Sequence, residues 1–383
     1  MKIALEVDRV LVEVGEALDL LLHVSPVNSE AAWSAFADSD FEALPAFEYR
    51  SLSFDPDALK RRLYELPLDD VENPTLANLF REKRLELDRQ IIMLEDRETS
   101  RFLYGSLAVF GDVDDVLLAD AEKLLAEVPP QAVRDLMEPD EFCRLARDEL
   151  HSYAHLAPDL SLNVEVRDDV PGLMVARGSL LVSSRVKIGR ARAGALIQHE
   201  IGTHVVTAAN GRLQPLCLFA IGLPGYEQTQ EGLAVFAEYV SGGLDRARLR
   251  LLAARVVAVY RLLEGASFGD VFLELHRDRG FRPQSAWSVT MRVYRSGGYT
   301  KDAIYLRGLA EIMSHLHSGG SLDPLLVGKV SLAQIPLAEE LLAAEILKPP
   351  TLWPHWLKAE GAEGRLERVR GGLAVSELVT GET

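Results

Sequence analysis

Three observations predict an α+β fold rich in helices, with a small sheet beside one long helix. Apolar residues recur at helical intervals through the first ~150 residues. Between Leu162 and Ile188 the pattern changes to strand-like alternation. From about Ala191 a long apolar-faced helix runs to Asn210-Gly211, a good C-terminal stop.

The elements follow in order. Leu5 to Val24 reads as one helix, ending before the Ser25-Pro26 breaker. Pro45 and Pro56 punctuate an irregular stretch, after which Asp57–Tyr64 and Pro74–Thr99 resume helical spacing. Asp112–Val128 and Pro139–Leu156 are two further helices, separated by Pro129-Pro130. Leu162–Val166, Leu173–Ala176 and Ser179–Ile188 are the expected strands, with a turn at Asp168–Gly172. After the long helix, Pro215–Tyr226 is a loop or short irregular connection, and Thr229 is the expected N-cap of a helix ending at Gly242-Gly243. Beyond Arg246 the pattern is mostly helical, broken near Arg279–Pro283 and at Ser296-Gly297-Gly298. The expected organisation is a helical region 1–157, a catalytic region 158–345, and a proline-rich turn and tail 346–383.

Composition narrows the partners. The 383 residues carry 41 basic and 58 acidic side chains, a formal net charge of −17. Such a surface repels nucleic-acid backbones and anionic membranes, so neither is an expected partner. Two distant cysteines make neither a disulfide framework nor a thiolate metal site. Charges at Glu6, Asp8, Arg9, Glu13 and Glu16 interrupt the first twenty residues, unlike a secretory signal, so a cytoplasmic protein is expected. No phosphate loop and no GxSxG elbow is present.

The sharpest local signal is His199-Glu200-Ile201-Gly202-Thr203-His204. Two histidines on one helix bind zinc when the neighbouring Glu is to act as a base. The usual i, i+4 spacing sets them about 40° apart around a helix, whereas i, i+5 sets them about 140° apart. Both can face one ion only if the extra residue is absorbed in a π-bulge, with Gly202 the residue expected to ease it. A hydrolytic zinc site needs a third protein ligand and an open position for water. Glu231, in the segment Glu227-Gln228-Thr229-Gln230-Glu231-Gly232-Leu233-Ala234, is the candidate, with Glu227 and Glu238 as rivals. His151 and His155, also i, i+4, have no Glu between them and read as a helix-surface pair.

These two segments, HEIGTH and QEGLA, resemble the flavohemoglobin expression-modulating QEGLA-motif proteins and their animal relatives, the microtubule-associated tyrosine carboxypeptidases. Tyr104-Gly105 and the stretch Thr290–Gly308, TMRVYRSGGYTKDAIYLRG, are similar to the same family. The resemblance implies a zincin-like zinc peptidase with an HExxxH motif, in which His199, His204 and Glu231 hold Zn2+ and Glu200 is the base. The expected substrate is a peptide or protein C-terminus, cut by metallocarboxypeptidase chemistry. The alternatives are a non-catalytic zinc-binding regulator and a zinc hydrolase of non-peptide amides.

Arg292, Arg295 and Lys301 form a local basic exception in an acidic chain. A carboxypeptidase needs a cation for the substrate's terminal carboxylate, and Arg binds it bidentately. Arg292 and Arg295, with Lys301 as a further candidate, are therefore the expected substrate-binding residues. Tyr299, after a glycine pair, is the expected donor to the oxyanion.

Overall fold

The computed structural model describes residues 1–131, 135–157, 163–170, 172–176 and 179–379. It is an α+β structure dominated by helices, as the periodicity predicts. Local chemistry fixes many of the helix starts. Asn73 and Asp114 accept the amides of Leu76 and Leu117 at the heads of Pro74–Glu95 and Asp115–Glu127, and Asp245 does the same for Arg248.

The described strands are β1 (Leu136–Met137), β2 (Asn163–Arg167), β3 (Leu173–Ala176), β4 (Ser179–Ser183) and β5 (Ile188–Gly189). β1 pairs antiparallel with β5, and neither short strand is legible as such in the sequence. β2, β4 and β3 form a three-stranded sheet in that order. β2 runs parallel to β4 with Asn163 opposite Ser179, and β3 runs antiparallel to β4 with Leu173 opposite Val182. Among the described residues β3 is thus an edge strand. The expected boundary at residue 158, and Leu162 of the expected first strand, lie outside the described residues.

The sheet sits beside the long helix because both bury apolar residues in one cluster. Val164, Leu180 and Val182 pack with Ile197, Ile201 and Val205 of that helix and with Phe142, Ala146 and Leu150 of Pro139–Ala154. A second, larger core runs from Ala4 to Val379 and includes the helices Tyr226–Val240 and Ile304–His317. Those two helices cross backbone to backbone at Gly232 and Gly308, where a methyl group on either glycine would collide with the other chain segment.

Four expectations are corrected. The first helix is broken at Asp19, which adopts φ 38°, so Lys2–Leu18 and Leu20–His23 are separate. The helix after the loop begins at Tyr226, because Gly225 takes the left-handed conformation (φ 69°) that starts it. Thr229 is therefore interior, and its Oγ1 accepts the Leu332 amide instead of capping its own helix. Ser29–Asp38 and Arg101–Phe110 are helices in stretches where periodicity alone shows little. Phe36 in the first is fixed by aromatic contacts to Phe268, Phe272 and Trp287, which are remote in sequence. The 346–383 segment contains the helix Ala362–Arg370 and a fully buried Trp356.

Candidate metal centre

The long helix has three parts. Ala193–His199 and Val206–Arg212 are α-helical, and Glu200–Val205 between them is π-helical. The Val206 amide reaches back to the Ile201 carbonyl, five residues earlier, which is the wider turn that the i, i+5 spacing demands. The His199 and His204 rings are brought to a centroid separation of 5.1 Å at 84°. The Gly202 carbonyl, within the distorted turn, accepts the Trp356 indole N–H at 3.3 Å.

His199, Glu200 and His204 form a group able to hold a metal ion, with one ligand atom from each lying within 4.8 Å of the others. Glu231 reaches the same place from the next helix. Its Oε2 is 3.5 Å from His204 Nε2 and 3.9 Å from His199 Nε2. Its Oε1 accepts from Lys301 Nζ at 2.7 Å. Burial pushes the Glu231 carboxyl up, but Lys301 and His204 outweigh it and hold the group well below the usual carboxylate range. One oxygen is thus neutralised by an ammonium, and the other is turned toward two imidazoles.

The rival acids have other partners. Glu227 pairs with Lys301 at 3.2 Å. Glu238, fully buried, lies behind the site, its Oε1 2.9 Å from His199 Nδ1 with the N–H aimed off the oxygen. Arg192 and Arg248 hold Glu238 at 3.0 Å each. A carboxylate beside Nδ1 favours the proton on that nitrogen and leaves Nε2 to face the site, and a carboxylate is the usual second partner of a metal-binding histidine. His151 and His155 are exposed at the end of their helix.

The cleft over this centre is lined by His199, Glu200, His204 and Glu231, by Met174 and Val175 of the β3 edge, and by Arg292, Arg295, Lys301, Tyr226, Tyr305 and Lys329. The expected basic residues thus all reach it, but in different states. Arg292 makes two 2.6 Å bonds to the buried Asp302. Burial disfavours charge on Asp302, yet Arg292 and Arg255 hold it well below its usual range. Lys301 is taken by Glu231 and Glu227. Arg295 has no carboxylate within ion-pair distance among the described residues, but it is buried, bonded to Ser25 Oγ at 3.0 Å and stacked over Tyr299. Tyr299 itself is not among the lining residues. It packs against Phe102 and Phe110, with its hydroxyl buried and, among the described residues, unpaired. Tyr226 and Tyr305 stand at the cleft where Tyr299 does not.

Lys329 was not legible as a site residue. It lies more than 120 residues from either histidine, without a patterned segment around it. A separate cavity of about 740 Å³ shares only Glu227 with the cleft. Among the described residues no helix is long and apolar enough to cross a membrane.

Comparison with known proteins gives a consistent picture. The sequence profile of the microtubule-associated tyrosine carboxypeptidases matches residues 34–373. The Mus musculus protein named “Putative tyrosine carboxypeptidase MATCAP2” is 24% identical over 389 residues, covering 96% of this chain and 64% of its own length. Mus musculus microtubule-associated tyrosine carboxypeptidase 1 is 28% identical over 180 residues, covering 43% of this chain and 36% of its own length. The chain therefore spans less than two thirds of either curated relative.

Proposed function

This chain belongs to the microtubule-associated tyrosine carboxypeptidase family, and from that premise we propose that it is a zinc-dependent metallocarboxypeptidase acting near a peptide or protein C-terminus. The observation that carries the reading is the π turn, which gathers two histidines and Glu200 where Glu231 meets them. Two imidazoles and a carboxylate opening onto a cleft are a donor set that suits zinc. His199, His204 and Glu231 would hold the ion, and the helix with its adjoining sheet is read as zincin-like. When bound, zinc supplies Lewis acidity that acidifies water and polarises a carbonyl.

The chain's own residues do the rest. Glu200 accepts a proton from the attacking water and returns it to the leaving amine. Glu238 and its two arginines keep His199 oriented. Lys301 holds Glu231 in position, which removes it from the set of free substrate cations. Tyr305 and Tyr226, which line the cleft, take the oxyanion-donor role expected of Tyr299. The edge strand β3 can pair with an extended peptide through its unpaired backbone groups. The proposed metal and base residues all fall within 158–345, the region assigned to catalysis, while Leu21 and Ser25 lend it wall.

Metal analysis and one conservative variant test this. The purified chain should carry close to one zinc, retained in Glu200→Gln and lost in His199→Ala and His204→Ala. Glu200→Gln should lower peptide turnover about 10²- to 10⁴-fold, since an amide cannot accept the proton. Full zinc occupancy in both alanine variants would remove the site, and undiminished turnover in Glu200→Gln would remove the mechanism.

A further inference from the structure

The cleft does not end at the metal centre. A second cavity of about 210 Å³ adjoins it, and Leu21, Met174, Val175, Tyr226, Glu227 and Lys329 line both. Beyond that shared wall the second cavity is mixed, with Leu18, Leu22, Leu87, Ala208 and Ile221 on its apolar side and Glu16, Asp19, Lys83, Gln90 and Arg212 also lining it. Of the two charged residues in the shared wall, Glu227 is answered by Lys301. Lys329 is not. Among the described residues its Nζ has neither an ion-pair nor a hydrogen-bond partner, only the Tyr226 ring at 5.5 Å.

Its position is fixed by backbone rather than by charge. The Lys329 amide donates to the Phe219 carbonyl at 2.7 Å, and the Leu223 amide donates to the Lys329 carbonyl at 3.0 Å. Burial pushes its ammonium down to about 8, as expected of a cation held without a counter-ion. Arg295 is the other cleft cation lacking a carboxylate, but it is buried at 3% exposure and already bonded and stacked.

We propose that Lys329 and the chamber beside it form the subsite for the substrate's last residue, Lys329 pairing with the α-carboxylate and the leucine-lined side of the chamber taking a large apolar side chain. A carboxylate and an apolar side chain on one α-carbon are what a cation beside a leucine-lined wall can bind together. The assignment rests on the carboxypeptidase reading and sharpens it, because it names which cation reads the terminus.

The test is binding, so that it does not depend on turnover. Affinities of the zinc-loaded full chain for N-acetyl-leucine, N-acetyl-phenylalanine, N-acetyl-glycine and the amide of each are measured by calorimetry. They are then repeated on Lys329→Met, Lys329→Arg and Arg295→Met, with thermal melting as the folding control. The acids of Leu and Phe should bind roughly ten- to a hundredfold tighter than their amides, and tighter than the glycine acid. Lys329→Met should erase the acid–amide difference, and Lys329→Arg should keep most of it. No acid–amide difference in the wild-type chain would overturn the proposal. So would a difference that survives Lys329→Met, whether the carboxylate then sits on the metal or on Arg295. If the acid preference depends on Lys329 but no peptide is cleaved, the subsite stands and the peptidase reading fails.

Discussion

At the scale of single residues, the site divides by what the sequence can announce. The histidine pair and Glu200 sit within six residues, and their odd spacing already demands the wider turn found at Glu200–Val205. Glu231 is legible as a ligand candidate, but not the pairing that leaves one of its oxygens free. The basic cluster is legible as a cluster only. Which of its members is spent on Asp302, Glu227 or Glu231 depends on side chains from other elements. Lys329 carries a prediction of its own. Its charge is present below about 8 and lost above it, so affinity for N-acetyl-leucine should fall as pH rises through that value, by up to about tenfold per unit. Affinity for the amide should not follow. The groups acting on this ammonium are Glu227 and Glu231, which favour its charge, and Arg212 and Lys83, which oppose it. Lys329→Arg should move the fall beyond the measurable range, because a guanidinium does not titrate there. Calorimetry at pH 7 and pH 9 settles the sign.

At the scale of elements, strands β2 to β4 and most of the long helices are legible because each presents an apolar face at its own period. The misreadings occur where another element supplies the reason for a conformation. Tyr226 starts its helix because Gly225 turns the chain into it, and Thr229 then bonds the Leu332 amide. Nothing in the local pattern of Ser29–Asp38 marks the aromatic partners that hold Phe36. The contact between the glutamate helix and Ile304–His317 is of the same kind. Gly232 follows Glu231 directly, and Gly308 faces it at the crossing. Gly308→Ala should force the helices apart, costing roughly 1–3 kcal/mol as an overpacked contact. Because Glu231 rides on that helix, zinc affinity should fall along with stability. Denaturant unfolding and zinc titration of the variant check both, and a normal zinc affinity would show that the crossing does not position Glu231.

At the scale of the whole molecule, one continuous apolar core includes residues from Ala4 to Val379, so the helical beginning and the tail share it with the cleft-bearing helices. Composition and hydropathy predict a chain able to build such a core, but not that Trp356 would reach the metal helix. Asn210 is tied the same way. Its side-chain amide donates to the Leu326 and Leu352 carbonyls and accepts the Leu352 amide, fastening the far end of that helix to the tail. The π turn has a consequence for chain length. It absorbs one surplus residue locally, so the helix after Val205 keeps the phase it would have had with that residue missing. Removing Thr203 should therefore give an unbroken α-helix with its histidines four apart, both still facing the site, and Asn210 still meeting Leu352. Removing Ala208 instead shortens the regular segment and swings Asn210 by about 100°. The first deletion should fold and bind zinc, and the second should do neither, as melting curves and metal content would report. A length change inside the turn is then a neutral edit, and the same change five residues later is a frameshift in three dimensions.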